Sequence, residues 1–373
     1  MLRSLLLSVL LTLLFTNTSI SQTSFAEEST SLDEKIGQML LAGFRGTALT
    51  DTNHIVRDIK KYHLGGIILF DYDVPSKSSE RNIQSPKQVK TLINDLKKIA
   101  DIPLTVAIDQ EGGQVARLKP SMGFPKIKSA EYLGALNDVD STRFYAKKMA
   151  QTLAGLGINM NFAPVVDVNI NPENPVIGGL ERSFSAAPPK VIKHASIYVK
   201  TLNKYGIRSV LKHFPGHGSS KKDSHLGVVD VTETWSKQEL HPYQKLLKKD
   251  LGDAIMTAHI FNRNIDPNFP ATLSKPTITG LLRNKLNYNG VVISDDLMMG
   301  AIRNEYGLKT TIAKAINAGV DILVFANNSI YDPEIVPKAH KIILELVDED
   351  QITREQINKS YQRIMELKST KRR

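Results

Sequence analysis

The sequence predicts a single-domain α/β fold, a (β/α)8 TIM barrel, and three observations carry that prediction. Eight short, near-continuous apolar runs recur along the chain. Longer amphipathic segments alternate with them, and composition does not shift from one part of the chain to another. Near-continuous apolar strands are expected where helices shield both faces of a parallel sheet from water. Eight βα units close one barrel. An open doubly wound sheet is the alternative, disfavoured because no G-x-G-x-x-G follows the first strand.

The first 26 residues stand apart. Arg3 precedes the apolar run Leu5 to Phe15, LLLSVLLTLLF, and a polar stretch ends in Ser24, Phe25 and Ala26. A basic start, a short apolar centre and small residues before the break predict a secretory signal peptide, cleaved before Glu27. The run is too short to span a bilayer comfortably, and no later segment does better, so no stable membrane span is expected after cleavage. The mature protein is therefore expected to be exported, periplasmic or secreted, and monomeric.

The runs predicted as strands are Gln38–Phe44, Gly66–Phe70, Leu104–Ile108, Ile158–Val168, Ser209–Phe214, Ala254–Ile260, Val291–Ser294 and Ile322–Ala326. Helical spacing falls between them, at Asp51–Tyr62, Pro86–Ala100, Ser141–Leu156, Pro189–Tyr205, Trp235–Asp250, Lys275–Leu286 and Leu308–Ala318. Pro333–Val347 and a final helix opened by Thr353 follow. Pro189 suits a first helical turn, and Ser236 ahead of Glu239 has capping-box spacing. The barrel is thus expected over 27–366, with a basic, solvated tail at 367–373.

Composition removes several function classes. There are no cysteines, which excludes disulfides, thiolate metal sites and cysteine nucleophiles. The net charge is +10, yet the basic residues are spread along the chain without a nucleic-acid-binding motif. A solvated basic surface is expected, and no nucleic acid.

The segment KHFPGHGSSKKDSH, from Lys212 to His225, is dense in chemistry-bearing side chains. So polar a loop gains little as core. Within it, Asp223 lies two residues before His225, a spacing at which a carboxylate can orient an imidazole, fix its tautomer and favour its protonated form. The intervening Pro, Gly, Ser and Lys residues predict a segment able to close over bound substrate and reopen for water.

Catalytic groups of such barrels sit at the C-terminal strand ends. There the sequence places Asp109, Glu111 and Arg117 after strand three, Asp167 in strand four, and Lys212 and His213 in strand five. His259 stands at the end of strand six, and Asp295 and Asp296 follow strand seven. Asp296 suits a cap on the next helix.

These motifs together resemble glycoside hydrolase family 3, and within it the single-barrel β-N-acetylhexosaminidases. KHFPGHG followed by DSH is the most specific element, supported in order by KIGQ, IDQEGG, NFAPVVDV, RSFS and ISDDLMM. The resemblance implies that Asp295 is the catalytic nucleophile of a retaining mechanism, and that His225, assisted by Asp223, replaces the usual second carboxylate as acid/base. It implies that Asp109, Arg117, Arg182, Lys212 and His213 bind the sugar. Glu111 and Asp167 either bind substrate or brace the rim, and His217 and His259 support the site from behind.

The expected substrate is a carbohydrate ending in N-acetylglucosamine, from peptidoglycan fragments or chitin oligosaccharides. No cofactor and no metal are expected. A metal-dependent hydrolase using His213, His217, His225, His259 and Asp109 is the competing chemistry, but neither H-E-x-x-H nor H-x-H after the first strand is present. A phosphorylase using Lys221 and Lys222 to attract phosphate, a β-glucosidase and a non-catalytic cell-wall binder complete the alternatives.

Overall fold

The computed structural model describes residues 30–223 and 227–369. The N-terminal segment read as a signal peptide lies outside the described residues. Eight strands form one parallel sheet: β1 (Leu40–Gly43), β2 (Gly66–Leu69), β3 (Thr105–Ile108), β4 (Met160–Asn161), β5 (Arg208–Phe214), β6 (Ala254–Thr257), β7 (Val291–Ile293) and β8 (Leu323–Phe325). Each pairs with its neighbour in chain order, and β1 also pairs with β8. Between β7 and β8 the contact narrows to the bridge Ile293–Ile322, with backbone bonds such as Ser294 N to Ile322 O at 2.9 Å. The sheet thereby closes into the predicted barrel.

Every residue of β1, β2 and β3 is buried, as expected for strands sealed by helices outside and by packed side chains inside. The helices take their faces from sequence spacing. In Pro86–Lys98 the buried Val89, Leu92, Ile93 and Leu96 form one apolar stripe, and a proline opens the helix where its missing N–H is harmless.

Several boundaries differ from expectation for local reasons. Predicted strand four is long, but only Met160–Asn161 pairs as ladder. Pro164 offers no N–H, and beyond it the backbone meets β5 through the Val165–Lys212 bridge, with Val166 N to Lys212 O at 2.8 Å. Gln38 ends a helix, Leu32–Gln38, rather than beginning a strand; Ser31 and Glu34 form a reciprocal capping box that starts it. The segment predicted as one helix over Trp235–Asp250 is a 3-10 turn, Lys237–Leu240, followed by a helix at His241–Leu247. Pro276–Lys285 is π-helical.

The expected solvated tail is corrected over 367–369, while 370–373 lie outside the described residues. The last helix runs to Ser369, and the Lys368 amine donates to Gln38 Oε1 at 2.5 Å and Gly65 O at 2.8 Å. Those partners lie just before β1 and β2, so the helix end is fastened across the barrel face opposite the C-terminal strand ends.

Candidate active site

Asp109 and Glu111 leave the end of β3, where a short ribbon, Gln110–Gly112 with Val115–Ala116, turns the chain back. Gly113 sits at that turn with φ of +62°, and a side chain there would meet Ser129 Cβ at 2.5 Å. Lys212, near the end of β5, reaches both carboxylates: its Nζ lies 2.7 Å from Asp109 Oδ1 and 2.7 Å from Glu111 Oε1. Glu111 also takes a bidentate contact from Arg182, whose Nε and NH2 both stand at 2.8 Å. The adjacent Arg117 approaches Asp109 Oδ2 at 3.6 Å and lies over the Phe70 ring.

Charges of opposite sign therefore alternate from Arg117 through Asp109, Lys212 and Glu111 to Arg182. Burial raises the cost of each carboxylate's charge, but the neighbouring cations win at Asp109 and Glu111, whose pKa values lie below the usual carboxylate range. The Arg182 guanidinium is also buried, and the Glu111 carboxylate beside it more than offsets that, holding it firmly charged.

Arg182 NH2 lies 3.2 Å from His213 Nε2, while His213 Nδ1 lies 2.7 Å from Asp167 Oδ2. Since a guanidinium only donates, the network assigns the His213 proton to Nδ1, with Nε2 accepting. Burial, together with the Arg182 and Lys212 charges, pushes the His213 pKa well below its ordinary value, so the ring is neutral. Asp167, itself fully buried, also accepts the backbone N–H of His213 at 3.1 Å and of His217 at 2.8 Å. Burial raises its pKa against those donors. It braces the rim rather than facing solvent.

Asp295 follows β7 and is half-buried; its Oδ1 accepts the Asp296 N–H at 2.8 Å. Its negative charge is felt at both His213 and His217, which places the carboxylate beside the charged chain. Asp296 does not cap the following helix: its Oδ1 is taken by N–H groups from Met298 and, beyond β8, Ala326, and the helix Gly300–Tyr306 starts after Met299 without a side-chain cap. His259, after β6, pairs Nε2 with Asp296 O at 2.9 Å and Nδ1 with Thr272 Oγ1 at 2.8 Å.

The strand-five loop is less uniform than its composition implies. Pro215 to Ser220 are buried. Asn174 Nδ2 donates to His217 O at 2.7 Å and to Ser220 Oγ at 2.9 Å, and Asn171 N donates to Gly218 O at 3.1 Å. Gly218 packs so tightly that an added Cβ would lie 1.7 Å from Val168 O. These residues therefore cannot serve as the hinge that their Pro, Gly and Ser content predicts. Asp223, beyond them, is half-buried, and His225 lies outside the described residues.

The structure thus brings together Asp109, Arg117, Arg182, Lys212, His213 and Asp295. Sequence reasoning missed Glu239, whose buried carboxylate accepts Gly218 N at 2.7 Å. It also missed a rim network in which Arg45 and the fully buried Arg81 both hold Asp73. Among the described residues, no three side chains stand together as metal ligands.

A family model described as the N-terminal domain of glycosyl hydrolase family 3 matches residues 31–367. The chain belongs to glycosyl hydrolase family 3. Beta-hexosaminidase A of Pseudoalteromonas piscicida is 35% identical over 337 residues, 83% of this chain and 54% of that protein. A beta-hexosaminidase of Alkalilimnicola ehrlichii is 34% identical over 323 residues, 84% of this chain and 86% of that one. Among solved structures, the family 3 beta-N-acetylglucosaminidase from Paenibacillus superposes with a TM-score of 0.83 at 36% identity, covering 91% of this chain and 62% of the other. The beta-N-acetylhexosaminidase from Beutenbergia cavernae gives 0.82 at 26% identity, covering 92% and 99%. This family 3 barrel therefore spans about half of the first relative and nearly all of the last.

Proposed function

We propose that this family 3 barrel is a retaining exo-β-N-acetylglucosaminidase, acting on terminal β-linked N-acetylglucosamine in peptidoglycan fragments or chitin oligosaccharides. The observation that carries this is the half-buried Asp295 at the end of β7, whose charge acts on His213 next to Arg182 and the chain of alternating charges. Relatives matched over most of their length are named beta-hexosaminidase, which supports the sugar class.

In this reading an Asp295 oxygen attacks the anomeric carbon while the bond to the aglycone oxygen breaks. Protonated His225, oriented by Asp223, gives its proton to that oxygen, and a glycosyl ester remains. Water then attacks the anomeric carbon of that ester and passes a proton to the now neutral imidazole, and Asp295 departs as a carboxylate. Histidine avoids placing a second carboxylate beside Asp295, where repulsion would raise one pKa. An ammonium has three donors, and Lys212 gives one to Asp109 while also ion-pairing with Glu111, so a further donor suits a sugar hydroxyl. Arg117, Arg182 and His213 complete the sugar-binding set, the last holding Arg182 in place.

Trapping with a fluorinated N-acetylglucosaminide followed by peptide mass spectrometry tests the nucleophile. A label on Asp295, with turnover abolished in Asp295→Asn, is the expected result; a label elsewhere or near wild-type turnover sinks the assignment.

The N-terminal sequence supports export with cleavage before Glu27, and we propose that the exported protein is a monomer. Among the described residues, no helix is long and apolar enough to cross a membrane. N-terminal sequencing of the exported protein and its sedimentation mass check both points.

A further inference from the structure

We propose that Glu239 is a positioning residue: from behind the strand-five loop it fixes the turn Gly216–Ser220, and thereby the course of the chain toward Asp223. The proposal rests on reading Asp223 and His225 as the proton-transfer pair.

Glu239 has the spacing of a helix-capping glutamate, three residues after Ser236. It does not act as one. Ser236 caps its turn by accepting from Gln238 N, whereas the Glu239 side chain runs inward and is 0% exposed. There Oε2 accepts Gly218 N at 2.7 Å, and Ser219 faces the same carboxyl. The fit is close on the other side too: Gly216 has φ of +119°, and a side chain there would lie 2.4 Å from Glu239 Cβ.

A carboxyl in such a place is costly. It lies away from solvent, no cation pairs with it among the contacts of the described residues, and its charged neighbour is Asp167, of the same sign. Tyr243, from the following helix, is the other titratable group facing it. An apolar residue would fill the space at lower cost, so the carboxyl is better explained by what it holds. It holds a turn with two outputs. One is His217 N, which bonds Asp167 and so helps fix the ring of His213. The other is the departure of the chain toward Asp223. Asn174 bonds the same turn at His217 O and Ser220 Oγ, so two buried side chains hold it.

A misplaced general acid harms poor leaving groups more than good ones, because a good leaving group needs little protonation. The test compares kcat/KM on chitobiose and on a dinitrophenyl N-acetyl-β-glucosaminide for Glu239→Ala, Glu239→Asp and Glu239→Gln. Hydrogen exchange of the peptide spanning 216–220 is measured alongside. Expected are an at least tenfold fall in the chitobiose-to-aryl ratio for Ala, a smaller fall for Asp and a ratio within about twofold of wild type for Gln. Exchange protection should be lost in Ala and kept in Gln. If Ala does not fold, Asp carries the same comparison. A wild-type ratio and wild-type protection in every folded Ala or Asp variant overturn the proposal, as does an equal loss on both substrates.

His225→Ala serves as the control. If its own ratio does not fall, the proton-transfer reading fails. Glu239 is then judged on exchange protection and on whether kcat/KM for both substrates drops in Ala and returns in Gln.

Discussion

Burial pushes the Glu239 carboxyl from the usual 4.5 up to about 8, and the Asp167 charge adds to the effect. The folded protein therefore keeps a proton that the unfolded chain releases near pH 4.5. For a carboxyl raised in this way, folding stability declines as pH climbs from about 4.5 to about 8 and is flat above that. Glu239→Gln keeps the shape and one acceptor but cannot ionise. It is expected to match wild type near pH 4.5 and to be more stable by a few kcal/mol at pH 8, since each tenfold gain in proton affinity on folding corresponds to about 1.4 kcal/mol. Urea unfolding at both pH values checks this; a wild-type protein as stable as the variant at pH 8 would contradict it. Other residues are easier to place from sequence. Lys212 and Asp295 stand out because each interrupts or follows an apolar run at a strand end, where a charge has little local use. Glu239 does not, because S-x-x-E has a sufficient local explanation in capping. The partner that overrides it, Gly218, is 21 residues away in sequence.

At the scale of elements, the turn Gly216–Ser220 divides the strand-five loop into a fixed root and a remainder. Its composition suggests mobility, since Gly and Ser are permissive when nothing confines them. Here they are confined: the absence of a side chain at Gly218 is what lets the turn sit against Val168 O. Gly218→Ala is therefore expected to destabilise the protein by about 2 kcal/mol or more, as overpacked interiors do. It should also lower turnover by displacing His217 from Asp167. Thermal unfolding together with kcat checks the pair, and an unchanged melting temperature would show that the backbone can yield. Strand four illustrates a second limit of sequence reading. The apolar run Ile158–Val168 marks buried chain correctly, but burial and ladder pairing separate after Asn161, and hydrophobicity reports only the first. The helices Ala130–Leu136 and Gly300–Tyr306 escape sequence reading because each is too short for its periodicity to emerge.

For the molecule as a whole, the seam between β7 and β8 carries the closest link between fold and chemistry. Elsewhere the barrel is joined by backbone ladders, but here side chains take over. Ser294 Oγ accepts Val324 N at 2.9 Å, and Asp296 Oδ1 accepts Ala326 N at 2.9 Å, alternating with the backbone bond from Leu297 N to Val324 O. Asp295 lies between the two stitching residues. The closure of the barrel and the placement of the proposed nucleophile thus depend on the same three-residue stretch. Eight apolar runs in regular alternation with helices predict that a barrel closes, because eight βα units complete one (β/α)8 barrel. How it closes is not visible in them, since Ser294 and Asp296 read as ordinary strand-end polar residues. Asp296→Ala removes the acceptor for both Met298 N and Ala326 N, leaving buried donors unpaired. The expected cost is about 2–6 kcal/mol, from two orphaned donors at about 1–3 kcal/mol each. Because Asp295 keeps its carboxylate but loses its frame, turnover should fall by more than tenfold while the fluorinated analogue still labels Asp295 slowly. Labelling at the wild-type rate with full stability would show that the seam is held by the backbone bonds alone, and that the nucleophile owes its position to β7 rather than to closure.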